Sequence, residues 1–556
     1  MTPRMTLQPA DEPTEREQVL AVFGFGGLAD LTGVLSPVPE NSGKRRAPYP
    51  PLLQYAVAVT ARIYGSQRRA LHRLGKDGLW LEAIAEYAEA VGIKQRLPLR
   101  PPTEDQQNRF VENFTQDPDR MRHLSKAFTA SAVGQARGLD QFPEAEPDFA
   151  RPDPRNTVFG DGTFYVPFSD VQEVIDPVSG AARVVNSRAT TQRPRLQRSV
   201  TDPTADGKKV RGVNHVTVQT RTWAGWIILA NAQALGAEVD AARPMIDTLH
   251  DLLGKDRLHA VVWDRAISGW HLEDLMARQR ILAVTKSFAK AATAADTNDD
   301  ETDETTDQGT KAAKAEPGRK VTKAKSKKAR AKSLLTARDR EAVRLYKANQ
   351  PLPLGTSVYR KDKSHEVVHG RHYRYGQPLA VPCSHDLWVD DGALVDVRTE
   401  SGKKQVKIAR AEALTAIPFW DSGTWHLDIT WSLPCQDHGS PHVFQIIWNP
   451  LRGKHQAPRK EVKRALRELS VLSREDGPRF HAVHGQRNHT ESYNSWSKAR
   501  LGTTAEGGRA MRLAIEAQML DHICTGTLAN ALTERAADIL SPTRDRALDE
   551  LMGCVL

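Results

Sequence analysis

The sequence predicts an α/β protein, with a mixed sheet flanked by helices, a helical N-terminal domain and a β-rich insertion. Three patterns lead there. Between 157 and 286, three strand-like runs are followed by helix, strand, helix and strand. Upstream of 150, apolar residues recur at helical spacing. Between 355 and 450, runs of β-forming residues alternate with turn residues. A chain of 556 residues also exceeds one ordinary core, since domains typically hold ~100–200 residues.

The elements follow in order. Residues 1–18 are polar and expected to be disordered. In 19–150, LLQYAVAVTARIY (52–64) and GLWLEAIAEYAEAV (78–91) are helices, with Arg68, Arg69, His72 and Arg73 between them. Such basic residues suit either DNA phosphates or an ordinary solvated face. In 151–287, TVFGDGTFYVPF is a strand interrupted at GDG. VNHVTVQTR and GWIILANA are two more, joined by Thr222–Ala224. EVDAARPMIDTLHDLLG is a helix that Asp240 can cap, with Pro244 in its first turn. LHAVVWD and ILAVTK are buried strands on either side of the short helix WHLEDLMARQ. Residues 288–335 carry an acidic block and then a Lys/Arg-rich block. Neither has enough apolar area to offset ordering entropy, so a disordered linker is expected. The β-rich insertion occupies 336–455. Residues 456–510 begin with a basic amphipathic helix (457–475), and 511–556 form a helical C-terminal tail.

Composition narrows the function classes. Lys plus Arg number 78 against 68 Asp plus Glu, a net charge of +10. An excess of this sign suggests a polyanionic partner. Four cysteines (Cys383, Cys435, Cys524, Cys554) are too few for a disulfide scaffold and fit a reducing interior. No apolar run approaches the ~18 residues of a membrane span, and MTPRMTLQPADEPTERE has no apolar signal-peptide core. No fixed-period repeat points to a solenoid.

Three acids stand out. Asp161 lies in a strand between two glycines, where small neighbours leave room for a ligand or metal against the backbone. Asp264 ends a buried apolar strand, an expensive place for a charge unless it is paired or metal-bound. Each alone also fits a strand-end turn former. Glu491 is selected by spacing. At ~100° per residue, His484, Arg487, Glu491 and Lys498 share a face about 60° wide, provided the helix reaches back to 484. Gly485 can equally mark a turn there. A carboxylate between Arg and Lys suits a metal and a phosphate together, or a plain stripe of i,i+4 ion pairs.

GDG on a first strand, VVWD on a fourth and a distant helical Glu together resemble the acidic triad of RNase H-like DDE transposases. One bacterial cut-and-paste branch carries Tyr, two residues, Arg, three residues, Glu, six residues, Lys. This chain reads His484, Arg487, Glu491 and Lys498 at that spacing, with His in place of Tyr. Asp264 is followed by Arg265, as is common in the branch, and the β-rich unit falls where the branch inserts one. The likeness covers roughly 155–510 in layout.

The resemblance implies an RNase H-like core and an insertion-sequence transposase. Asp161, Asp264 and Glu491 are then the catalytic and metal-binding residues, holding two Mg²⁺ ions with Mn²⁺ as a substitute. Arg487, Lys498 and His484 contact phosphate. The implied partner is double-stranded DNA, as terminal inverted repeats and target, with a dimer on two ends, no membrane, and a cytoplasmic, nucleoid-associated location. One of Trp388, Trp420, Trp425, Trp431 and Trp448 would stack a flipped base during hairpin formation. Two rival readings keep the fold: an inactive DNA-binding remnant, or a nuclease that only hydrolyses. A basic structural or RNA-binding protein explains the charge but not the ordered acids. Cys383, His385, Cys435, His438 and His442 have zinc-ligand chemistry but poor spacing, with no CxxC.

Overall fold

A computed structural model describes most of residues 13–35, 49–167, 209–285, 352–448 and 483–545, and short strands at 171–175, 182–186, 198–201 and 509–510. The expected linker 288–335 and the basic helix expected at 457–475 lie outside the described residues.

Among the described residues, seven helices make up the N-terminal unit: α1 (Glu15–Phe23), α2 (Gly27–Asp30), α3 (Pro51–Thr60), α4 (Gln67–Leu74), α5 (Leu79–Val91), α6 (Glu104–Thr115) and α7 (Pro118–Gly138). Their starts are written locally. Thr14 and Glu17 close a capping box on α1, and Thr103 and Gln106 close one on α6. Asp117 caps α7, with Pro118 at its first position, where a missing N–H costs nothing. Every residue of α3 from Leu52 to Thr60 is buried, so this helix is the centre of the unit.

The mixed sheet begins with β1 (Thr157–Pro167). A hairpin of β2 (Val171–Ile175) and β3 (Ala182–Asn186) follows, then β4 (Arg198–Thr201), β5 (Lys209–Thr222) and β6 (Gly225–Ala234). Helix α8 (Glu238–Leu253), β7 (Ala260–Val262), α9 (Trp270–Gln279) and β8 (Leu282–Val284) complete this part of the chain. The strand order is β4–β5–β1–β7–β8, with β6 on β5. β5 runs antiparallel to β1, and β6 antiparallel to β5. β7 runs parallel to β1, and β8 parallel to β7. The β5–β6 turn is tied by Thr222, whose hydroxyl oxygen accepts from the N–H groups of Ala224 and Gly225.

Helix α8 starts differently from expectation. Ala237 is its N-cap and offers no side-chain cap, Asp240 is already helical, and Pro244 lies inside the helix. Packing holds it regardless: Ala241, Ala242, Met245, Ile246, Leu249 and Leu253 are buried against the sheet.

The described residues of the β-rich insertion form two sheets. β9 (Leu352–Tyr359), β12 (Cys383–Asp390), β13 (Ala393–Glu400) and β14 (Lys404–Arg410) form one, in the order β14–β13–β12–β9. The other has the order β10–β11–β17–β16–β15. Its strands are β10 (Val367–Val368), β11 (Arg371–Tyr375), β15 (Glu412–Asp421), β16 (Thr424–Leu433) and β17 (His442–Trp448). Leu427, Ile429, Phe444 and Ile446 of the second sheet share a core with Phe159, Val262 and Val284 of the first part. Asp148 fastens the two: its Oδ1 accepts from Ala416 N, and Phe149 N donates to Ala416 O. The Arg280 guanidinium stacks 5.0 Å from the Trp425 ring centroid.

Two helices close the described chain, α10 (Asn488–Arg500), which follows a 3₁₀ turn at Gly485–Arg487, and α11 (Ile515–Leu540). Between them, β18 (Arg509–Ala510) pairs parallel with the end of β1. The segment expected as a helical tail thus contains a helix buried along most of its length. Leu520, Ile523, Cys524, Leu528 and Ala531 of α11 enter the N-terminal core. Tyr55 and Thr527 hydrogen-bond at 2.7 Å, and Arg62 pairs with Asp521 at 3.4 Å. On its other side, Asn530 bonds both backbone groups of Ile228 in β6. Among the described residues no helix is long and apolar enough to cross a membrane.

Candidate functional site

Asp161 sits in the middle of β1, and its flanking glycines have an identifiable purpose. Side chains alternate along a strand, so Gly160 and Gly162 face away from Asp161. A Cβ on Gly160 would stand 1.8 Å from Trp263 Cζ3, and one on Gly162 would stand 2.4 Å from Glu238 Oε2. Trp263 Nε1 in turn donates to Glu238 Oε1 at 2.7 Å. The glycines therefore make room for the buried Trp263 and the partly buried Glu238, not for a ligand at the backbone as the sequence suggested.

The opposite face, which bears Asp161, is polar. In the β1–β5 ladder Asp161 lies beside Thr217 and Thr163 beside His215. Thr217 Oγ1 is 3.1 Å from Nε2 of His522 on α11, and the His215 and His522 rings meet edge to face at 4.7 Å. Burial lowers both imidazoles, His522 to about 4 and His215 well below its ordinary value, where His522 adds to the effect. Both are neutral at pH 7.

The distant Glu helix comes to this face. Arg487 Nη2 donates to Asp161 Oδ1 at 3.1 Å, and Arg487 Nη1 to Glu491 Oε1 at 3.2 Å. One guanidinium thus joins two carboxylates 330 positions apart in sequence, 161 and 491. Asn494 Nδ2 donates to Asp161 Oδ2 at 2.8 Å. Asp161 and Arg487 are largely buried, whereas the Glu491 side chain is 58% exposed and open to a ligand from solvent.

Residues 487, 491 and 494 are spaced by four and three, one stripe at helical periodicity. Asn494 belongs to the stripe and was missed, because attention to charged residues alone passes over an amide at the right step. His484 precedes the stripe in sequence. It is buried and lies just before the 3₁₀ turn at Gly485–Arg487, in which positions three apart eclipse. Lys498 lies in α10, with its side chain outside the described residues. Asp264 is outside them too.

The tryptophans divide clearly. Trp431 and Trp448 are core residues, and Trp388 and Trp425 are partly buried. Trp420 is 57% exposed near the β15–β16 hairpin tip, edge-on to Trp425. As for zinc, His385 Nδ1 pairs with Asp396 Oδ2 at 2.8 Å, and its ring lies 4.8 Å from that of His442. His438 and the side chain of Cys383 lie outside the described residues. Among the described ones, no group of three or more His, Cys, Asp or Glu is arranged to hold a metal ion.

No known family model matches this chain, and no curated protein matches it.

Proposed function

We propose that the protein is a DNA transposase of the DDE class with an RNase H-like core. The observation that carries this reading is the Arg487 bridge between Asp161 and Glu491, an acid-pairing contact between the middle of a sheet and a remote helix. The sheet supports it. Three antiparallel strands in spatial order β6–β5–β1, continued by parallel β7 and β8 with α8 and α9 as crossovers, follow the RNase H-like order. The ladder between β1 and β7 has an offset of 103 residues in each pair, the sequence separation of positions 161 and 264.

The donor set fits divalent cations of the Mg²⁺ type. Carboxylates are the hard oxygen ligands such ions take, and Glu491 is open to solvent. Asp161, Glu491 and Asp264 would hold them. Two such ions, when bound, polarise a phosphodiester and lower the pKa of an attacking water. The protein's own residues supply orientation. Arg487 keeps both carboxylates on one side of the strand and offers its charge to phosphate, with Lys498 as a second cation. In the reaction, water adds to the phosphorus at an element end and the P–O3′ bond breaks, leaving a 3′-hydroxyl. That hydroxyl then attacks a target phosphodiester, forming a new P–O bond as the target's 3′-oxygen departs. The partners are element ends and target duplex, the working form is a dimer on two ends, and the setting is the bacterial cytoplasm at the nucleoid.

The test uses duplex DNA carrying the sequences that flank the encoding gene. Wild-type protein should nick it in Mg²⁺ and join the 3′-end to a second duplex. Asp161→Asn, Asp264→Asn and Glu491→Gln should bind the same DNA and not nick it. Nicking retained by any of the three removes that residue from the site. Cleavage without joining makes the protein a nuclease, and binding without cleavage in Mg²⁺ or Mn²⁺ makes it a DNA-binding remnant.

A further inference from the structure

The two oxygens of Asp161 are held by different donors from one stripe of residues. Arg487 holds Oδ1 and Asn494 holds Oδ2, the latter at the shorter distance. A carboxylate turns easily about its Cβ–Cγ bond, so a single donor leaves the directions of its remaining lone pairs open. Two donors from opposite ends fix the plane. Asn494 is 7% exposed, and its Oδ1 has no hydrogen-bond partner among the described residues. A buried amide with one end bonded to the site's central acid and the other end unsatisfied is poorly explained by stability alone. Its amide oxygen is also a neutral hard ligand of the kind a divalent cation takes, and it can accept a hydrogen bond from that cation's water.

We propose that Asn494 is a positioning residue of the cation site: its amide N–H locks the plane of the Asp161 carboxylate in the orientation that a cation would meet. The functional stripe of the Glu helix is then Arg487, Glu491 and Asn494, and the pattern to seek is Arg, three residues, Glu, two residues, Asn. The inference rests on Asp161 being a cation-binding carboxylate. It asks Asn494 for orientation, not for contact with the reacting phosphate. The contribution of Arg487 differs, because it neutralises charge as well as orienting it.

Mn²⁺ titration by calorimetry of the full-length protein tests this without relying on activity. Asn494→Ala removes the donor and some volume, while Asn494→Leu removes the donor and keeps the volume, so the two separate orientation from packing. Both should weaken Mn²⁺ binding about 10–100-fold, the usual cost of losing a group that orients a metal ligand. Affinity for the flanking-sequence duplex should stay within twofold, and nicking should recover at saturating Mn²⁺. A packing role alone would lower the thermal midpoint of Asn494→Ala and leave the Mn²⁺ constant unmoved. Mn²⁺ binding by both variants within twofold of wild type overturns the proposal, as does wild-type protein that takes up no Mn²⁺. Wild-type protein that binds Mn²⁺ but never nicks DNA sinks the transposase reading and leaves the role of Asn494 to be decided by the titration.

Discussion

Gly160→Ala should be among the most damaging single-methyl additions in the chain. The new Cβ would meet Trp263 Cζ3 at 1.8 Å, Cε3 at 2.1 Å and Cη2 at 2.3 Å. Ordinary carbon–carbon contact needs ~3.5 Å, so the ring must retreat by roughly 1.5–2 Å. Trp263 is completely buried, its N–H bonds Glu238, and its backbone nitrogen donates to Val284 O in β8. Overpacking of this kind costs about 1–3 kcal/mol, and losing a hydrogen bond to a charged group costs about 1.5–3 kcal/mol more. Together they give roughly 2.5–6 kcal/mol. Urea unfolding followed by far-UV circular dichroism measures it, with a double-mutant cycle as the control. Trp263→Leu removes all three clashing atoms, so Gly160→Ala on that background should cost little beyond Trp263→Leu alone. A single Gly160→Ala within about 0.5 kcal/mol of wild type would refute the claim that the glycine exists to admit the ring. So would strict additivity of the two changes.

Four further outcomes are expected. Arg487→Ala breaks the ion pair of the largely buried Asp161, so stability should fall by about 3 kcal/mol on urea unfolding, near the low end for a broken buried pair because Asn494 remains. Arg487→Lys should recover part of that loss but not the double contact. His522 is buried neutral with its pKa lowered to about 4, so the unfolded chain takes up the proton first as pH falls. Stability should be full above ~6.5 and drop by about 3 kcal/mol on acidification to 4, and His522→Gln should flatten that part of the profile. Arg68, Arg69, His72 and Arg73 are exposed on α4, so Arg68→Ala combined with Arg69→Ala should lower the salt dependence of DNA binding by about 0.9 in log–log slope for each phosphate no longer neutralised. An unchanged slope would remove α4 from the interface. Trp420→Ala should change stability by less than about 0.5 kcal/mol and lower hairpin formation on DNA ends, whereas Trp431→Ala should destabilise the insertion core by about 3–5 kcal/mol.

The parts of the molecule legible in the sequence were those written in local patterns. The apolar periodicity of α3 and α5 and the buried runs of β6 and β7 report burial directly. The arginine-to-glutamate step of four at 487 and 491 is a helix-face pattern that needs no knowledge of the partner element. What escaped depended on contacts across the chain. The segment 511–556 is legible as helical, but only the fold supplies the buried partners Ile228, Tyr55 and Arg62 of its Asn530, Thr527 and Asp521. The GDG glycines suggest an open backbone until Trp263 and Glu238 are seen filling the space. Local rules favour Pro244 in a first turn, while burial of one face carries α8 through it.

The most direct check is anomalous scattering from Mn²⁺ in crystals of the full chain bound to a flanking-sequence duplex. The peak is expected within ligand distance of oxygens from Asp161, Asp264 and Glu491, with Arg487 turned toward a DNA phosphate. Manganese elsewhere, or these three side chains too far apart to share an ion, would contradict the cation-binding triad on which the transposase reading depends.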